Sequence, residues 1–192
     1  FKDIKNPVFF ELTKSFRQEE DDIFYELLNN IRLGIDLDVT VNRINKHCYD
    51  PTLEVEPFMT LTSRKNKAED INLHKLSYND NEEETIVSKE KGELKENDLP
   101  APRELKIKKD AKVMFIKNDS EGRWVNGTIG TVTECLDKKK KGIKVKVDGR
   151  THKVEREEWK KVKFTYDEDL DEVYEEVVSS FKQFPIKLGW AV

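Results

Sequence analysis

Residues 58–66, FMTLTSRKN, place a strand-length apolar run directly before a turn carrying hydroxyls, an amide and two cations. Folds built from strand, turn and helix keep their ligands at the carboxyl ends of strands, so this turn is a candidate contact surface. A second set lies at residues 117–132, KNDSEGRWVNGTIGTV, where charged and amide side chains surround one tryptophan and an Asn-Gly pair. Asn126 and the glycines suit backbone with positive φ, which predicts a tight hairpin of defined shape. Other chemistry is hard to build from this chain. None of its eight glycines belongs to a G-x-x-x-x-G-K-[ST] phosphate loop, and His47, His74 and His152 are scattered without metal-ligand spacing. His47 and Cys48 are adjacent, and neighbours in sequence do not face each other on a helix, which argues against a nucleophile and base pair.

The elements that must carry these residues are legible from periodicity. SFRQEEDDIFYELLNNIRLG sets Ile23, Phe24, Leu27, Leu28 and Ile31 on one helical face, with acids in its first turn and Gly34 as a stop. A shorter helix is predicted from about Asp38, weakened by the β-branched Val39, Thr40 and Val41. RKNKAEDINLHKL is predicted as a helix packing Ala68, Ile71 and Leu76 on the preceding strand, the unit of an α/β layer. Residues 77–102 are acidic and poor in aromatics, which reads as a linker with one possible strand at ETIVSKE. The period then changes to two: AKVMFIKN, GTIGTVTEC, GIKVKVDG and RTHKVER are short runs with turn signals between them, including Asp148-Gly149. Such a succession in about 60 residues suggests a small closed barrel of the SH3-like or OB kind. DKKKKG is a low-complexity patch expected at a loop tip. Residues 162–184 fit either a charged helix or two strands around DEDLDE, and the alternation of Val162, Phe164 and Tyr166 favours the hairpin.

The net charge of −4 conceals an asymmetry. Residues 103–163 hold 19 Lys and Arg against 10 Asp and Glu, a balance of +9, while the remainder holds 16 against 29, a balance of −13. A basic module in an acidic host points to a phosphate-bearing partner or to a solvated lysine-rich face. No run of residues is long and apolar enough to span a membrane, the amino end lacks the layout of a secretory signal, and Cys48 and Cys135 form no zinc or disulfide pattern. A reducing compartment is the expectation. Both ends read as cuts: there is no initiating Met, and QFPIKLGWAV stops within an apolar run, so a fragment is expected.

Four strings occur in order: LTKSFRQ, LTSRKNKAEDIN, LKIKKDAKVMFIKNDSEGRWVNGTIGTV and QFPIKLGWAV. Together they resemble the second RecA-like domain of superfamily-one DNA helicases of the PIF and RecD-like group. In that group F-R-Q is a helicase motif, a V-M-x-x-x-N-D…N-G-x-x-G-x-V string marks an inserted SH3-like barrel, and Q-F-P-x-x-x-A-W-A precedes a T-x-H-K-S-Q-G motif. Gly189 stands where the group usually has Ala, a small-for-small exchange expected to matter little.

The resemblance implies an α/β fold, a partial RecA-like layer over residues 1–76, with an all-β SH3-like barrel inserted at 103–163 after a linker at 77–102. A hairpin and return strand would follow at 164–192. It also implies an ATP-dependent DNA helicase, of 5′ to 3′ polarity, with roles in DNA repair and recombination, using ATP and Mg²⁺ in the full-length parent. Without its P-loop half, this fragment is expected to hold neither and to be inactive alone. By its match to the motif, Arg17 would reach the γ-phosphate, with Gln18 a weaker ATP contact; the plain alternative pairs Arg17 with Glu19 or Glu20. Single-stranded DNA would lie along the strand ends on Thr62, Ser63, Arg64 and Asn66, unless Ser63 caps the helix and Asn66 stabilises the turn. In the barrel, Lys117, Asn118, Arg123, Trp124 and Asn126 would supply charge and a stacking face, with Trp124 as a core aromatic the competing reading. Implied partners are single-stranded DNA and the first RecA-like domain of the same chain; a monomer free of membrane is expected, in a bacterial cytoplasm or a eukaryotic nucleus or mitochondrion. The competing class is a non-enzymatic SH3-like module that binds nucleic acid or protein.

Overall fold

The computed structural model describes residues 8, 10, 22–52, 59–135, 142–167 and 171–192. Arg17, Gln18 and the four lysines at 138–141 lie outside the described residues. The chain divides into two compact units, Phe1–Glu54 and Val55–Val192. In the first, helix α1 spans Asp22–Leu33 and α2 spans Leu37–Cys48. Gly34, at φ 71°, ends α1 as its position predicted: Gly34 N–H bonds to the Ile31 carbonyl and Ile35 N–H to that of Asn30. Asp36, also left-handed, starts α2, whose β-branched run is tolerated with Thr40 buried. Of the apolar face of α1, Leu27 alone is buried, while Ile23 and Ile31 stay exposed.

The second unit opens on an isolated bridge where a strand was expected, followed by the expected turn and helix. Thr60 pairs in parallel with Ala191. The pairing extends through Thr60 N–H to the Trp190 carbonyl at 2.8 Å and Thr62 N–H to that of Val192 at 2.8 Å. Helix α3, Lys65–Ser77, follows and buries Ala68, Asn72 and Leu76. Ile71, expected in that row, is only half-buried. Asn72 is the surprise, because a carboxamide one turn from each neighbour takes a core position. It is satisfied there: its Nδ2 donates to the Ala191 carbonyl at 2.8 Å, and its Oδ1 accepts from Trp190 N at 3.0 Å and Ala191 N at 2.9 Å.

The segment expected as a linker supplies strands β1 (Glu83–Val87) and β2 (Lys89–Lys91), then the short 3₁₀ turn Glu96–Asp98. β1 pairs antiparallel with β3 (Glu104–Lys108), burying Ile86 beside Leu105. The alternating runs become β4 (Lys112–Phe115), β5 (Ile129–Glu134), β6 (Ile143–Val147) and β7 (Arg150–Val154). With β10 (Ile186–Leu188) they form one antiparallel sheet in the order β10-β4-β5-β6-β7. Asp148 and Gly149, both at positive φ, make the predicted two-residue turn between β6 and β7. The sheet is open: among the described residues no hydrogen-bonded pairing joins β7 to β10, so the expected closed barrel is seen here as an antiparallel layer. Its inner face, with Val113, Phe115, Val132, Ile143, Val145 and Ile186, is essentially inaccessible to solvent.

The expected hairpin is present, and its strands are longer than anticipated. β8 (Glu157–Asp167) pairs with β9 (Glu172–Gln183) along its whole length, and β2 flanks β9. Phe164, Tyr166 and Val173 stay exposed along it.

Gly189 needs a correction. A Cβ there would come 2.8 Å from the Val113 carbonyl carbon and 2.9 Å from Met114 N, both backbone atoms, because the chain just past β10 runs close against its antiparallel neighbour β4. Exchange for Ala is therefore not neutral in this chain. Gly189→Ala should lower stability by about 1–3 kcal/mol, the usual cost of overpacking. Urea melts of the two proteins check this, and equal midpoints would show that β10 has room to move.

Candidate nucleic-acid interface

The turn before α3 is built from both backbone and side chain. Thr62 donates its hydroxyl to the Arg64 carbonyl at 2.9 Å, which folds the turn over the strand end. Arg64 is the residue at the helix N-cap, with extended backbone and no side-chain cap bond. Ser63 thus does not cap the helix, while Asn66 accepts from Lys67 N–H at 2.9 Å through its own Oδ1. No acid occupies the first turn of α3. Uncapped N–H groups with cations beside them form a place where an anionic oxygen is favoured.

A residue missed in the sequence strengthens that place. Lys187, on β10, is half-buried, and its ammonium is pushed below the ordinary lysine value by burial and by the neighbouring charge of Lys65. The like charges of Lys187 and Lys65 oppose each other, and an anion near them would ease that opposition. The only signal in the sequence was a lysine inside an otherwise apolar run, IKLGWAV.

The second set occupies the connection between β4 and β5, residues 116–128, and its shape differs from the tight hairpin expected. Asp119 organises it. Its carboxylate accepts from Arg123 Nε and Nη2, each at 2.7 Å, and from the backbone N–H groups of Glu121 and Arg123 at 3.1 Å. The Arg123 guanidinium holds the Asp119 carboxyl down at about 2. Asn118 accepts from Asn126 N–H at 2.7 Å, and the turn closes with Thr128 N–H on the Val125 carbonyl. Gly127 takes the positive φ of that turn, and Asn126 does not.

Trp124 is corrected from a stacking face to core. It is 6% exposed, stacks on Phe115 with centroids 4.3 Å apart, and meets His152 edge-on at 6.0 Å. Arg123 lies over its ring at 4.6 Å, so the guanidinium is committed to Trp124 and Asp119 together. Lys117 is half-buried, pairs with Glu157 at 2.7 Å and sits 5.4 Å from the centre of the Trp159 ring. The loop therefore offers the exposed amides of Asn118 and Asn126, with its cations already paired. The turn at 62–66 offers the freer charge.

Nucleophile chemistry finds no support in Cys135, whose thiol burial pushes up to about 11. Among the described residues no group of His, Cys, Asp and Glu could hold a metal ion, and no helix is long and apolar enough to cross a membrane.

No protein-family model matches the chain. It is 30% identical over 177 residues to the ATP-dependent DNA helicase Pif1 of Bdellovibrio bacteriovorus, covering 89% of this chain and 37% of that protein. Its fold is similar to that of Bacteroides sp Pif1 in complex with ADP-AlF4, with TM-score 0.78 and 31% identity, covering 94% of this chain and 41% of the other. Bacteroides Pif1 bound to ssDNA matches with TM-score 0.64 and 33% identity over 95% of this chain and 41% of the other. Over most of its length the chain is homologous to part of the Pif1 helicases, in agreement with the resemblance carried by its four motif strings. It spans about two fifths of the length of these relatives.

The Asp119 carboxylate is the test of the loop. Its pKa in the fold lies below the ordinary 3.8, so the unfolded chain takes up the proton first. Its contribution is complete above the ordinary value and is lost as pH falls from about 4 toward 2. Asp119→Ala should lower stability by about 2 kcal/mol at neutral pH. Urea melts at pH 7 and pH 2.5 should show the gap between variant and wild type shrinking in acid; a gap independent of pH would mean that the carboxylate does not hold the loop.

Proposed function

We propose, from the homology of most of this chain to Pif1 helicases, that it is a segment of an ATP-dependent DNA helicase. It would comprise part of the second RecA-like domain, residues 1–76, with an SH3-like insert at 103–163 and a hairpin and return strand at 164–192. The observation that carries the reading is the likeness to Bacteroides Pif1 over 94% of the chain at TM-score 0.78. The parallel pairing of Thr60 with Ala191 beside α3 supports a RecA-like layer, and the five-stranded antiparallel sheet supports the insert.

In this reading ATP sits against the first RecA-like domain, which supplies the phosphate loop and the carboxylate for Mg²⁺. ATP provides the free energy of translocation. From this chain Arg17 reaches the γ-phosphate, where a delocalised cation stabilises the charge of phosphoryl transfer, and Gln18 lies beside the nucleotide. Single-stranded DNA follows the strand end, with phosphates on Ser63, Arg64, Asn66 and the N–H groups of α3 and with Thr62 shaping the turn. Lys187 joins this set by proximity to Lys65. Asn118, Asn126, Lys117 and Arg123 form a second, weaker contact, and Trp124 supports it from the core. Polarity is proposed as 5′ to 3′.

Two measurements test this. Arg17→Ala in the full-length parent should lower ATP turnover by about a hundredfold or more with the melting curve unchanged; near-normal turnover would remove Arg17 from the site. The 192-residue chain itself should bind oligo-dT weakly, with log affinity falling against log salt by about 0.7 per phosphate contacted. Arg64→Ala with Lys187→Ala should flatten that slope by about two contacts' worth, whereas a slope unaltered by the pair would place the DNA elsewhere.

A further inference from the structure

Trp124 is core, yet the second unit does present an aromatic surface. A cleft of about 890 Å³ opens between residues 93–100 and the sheet of β8 and β9, a size within the roughly 300–1,000 Å³ of ligand pockets. The half-buried Trp159 lines it from the sheet, backed by Phe181, which is itself almost wholly buried. They stand directly opposite each other in the register and tilt together with centroids 6.1 Å apart. Leu94 and Pro100 line it from the other side, and Lys95, Lys160 and Lys161 contribute cations.

Several features make this a built cleft rather than a gap. Arg103 clamps the 93–100 side with three groups at once: Nε to Glu90 at 3.0 Å, Nη1 to Glu96 at 2.9 Å and Nη2 to the Leu94 carbonyl at 2.9 Å. Lys117, held by Glu157, covers one face of the Trp159 indole. Lys95, Lys160 and Lys161 have no acid partner among the described residues, in contrast to Lys117 and Arg123. Glu93 and Asp98 also line the cleft, which leaves a balance of one positive charge and confines favourable phosphate contact to the Lys160 and Lys161 side.

We propose that this cleft is a stacking site for a base of single-stranded nucleic acid, with Trp159 as the platform and Lys160 and Lys161 as phosphate contacts. The inference rests on the helicase-segment reading and adds to it a site away from the strand-end turn. A half-buried indole stabilises any stacked base without reading its edge, so the contact is tolerant of sequence, as a translocating enzyme requires. An aromatic face with free lysines beside it distinguishes a nucleic acid from a plain polyanion, which needs the lysines alone.

The experiment compares a 12-mer of dT with an abasic 12-mer of the same phosphodiester backbone, by fluorescence anisotropy on the intact chain. Wild type should prefer dT by about 5- to 150-fold, the factor that stacking of one base supplies. Trp159→Ala should bind both at the abasic level, and Trp159→Phe should keep part of the preference. Thermal melts accompany each variant, and the wild-type comparison and Trp159→Phe decide the matter if Trp159→Ala does not fold. Equal wild-type affinity for the two oligomers, or a preference that survives in Trp159→Ala, overturns the stacking site and leaves the helicase-segment reading standing. Failure of wild type to bind either oligomer overturns both.

Discussion

A buried carboxamide must satisfy each of its polar atoms within the protein, and Gln183 does so by reinforcing the point where β1, the chain entering β3 and the end of β9 come together. Its Nε2 donates toward the carbonyls of Ile86, Pro102 and Arg103, at 3.0, 3.2 and 3.3 Å, and its Oε1 accepts from Phe184 N–H at 3.0 Å. The residue is fully buried. Removing its side chain would cost these contacts and leave the Phe184 N–H without its Oε1 acceptor in the interior, a larger penalty than the bonds' net worth. The acidic segment that reads as a linker is thereby fastened to the end of β9, and the entrance to the antiparallel sheet is fixed at the same point.

Asn72 repeats the device eight residues downstream of that junction in space along the return strand. Both the donor and the acceptor of its amide are spent on Trp190 and Ala191, so α3 cannot slide along the strand that Thr60 and Thr62 pair with. The turn at 62–66 inherits its position from this pairing. Between the two amides run Ile186, Lys187, Leu188 and Gly189, and the chain passes so close to β4 that a side chain at the last of them would press on the backbone of Val113 and Met114. One ten-residue stretch, QFPIKLGWAV, therefore links the antiparallel sheet to the α/β layer.

The loop at 116–128 obeys a different economy. Asp119 gathers an arginine and two backbone N–H groups, and the arginine in turn covers Trp124, which rests on Phe115 in the core. The loop takes its shape from Asp119 and Arg123, whose charges face each other. That is why the residues most suggestive of a DNA contact are largely structural here, while the free lysines and the accessible indole lie together beside the β8 and β9 hairpin.

What could be read without coordinates was what depends on neighbours in the chain. Helical spacing located α1 and α3, alternation located β4 to β7 and the hairpin, Gly34 and Asp148-Gly149 marked their turns, and four short strings carried the kinship with helicases; each of these is local chemistry or local order. The pairings were not legible. Nothing adjacent to Gln183 or Asn72 announces that an amide will be buried, because, apart from the Phe184 N–H, the groups that satisfy them lie some 80 to 119 positions away. Trp124 and Trp159 are alike in sequence, each aromatic beside a cation, and only packing decided that the first fills the core while the second borders a cleft. The same holds for Gly189, whose lack of a side chain looked incidental until the backbone of β4 was placed across it.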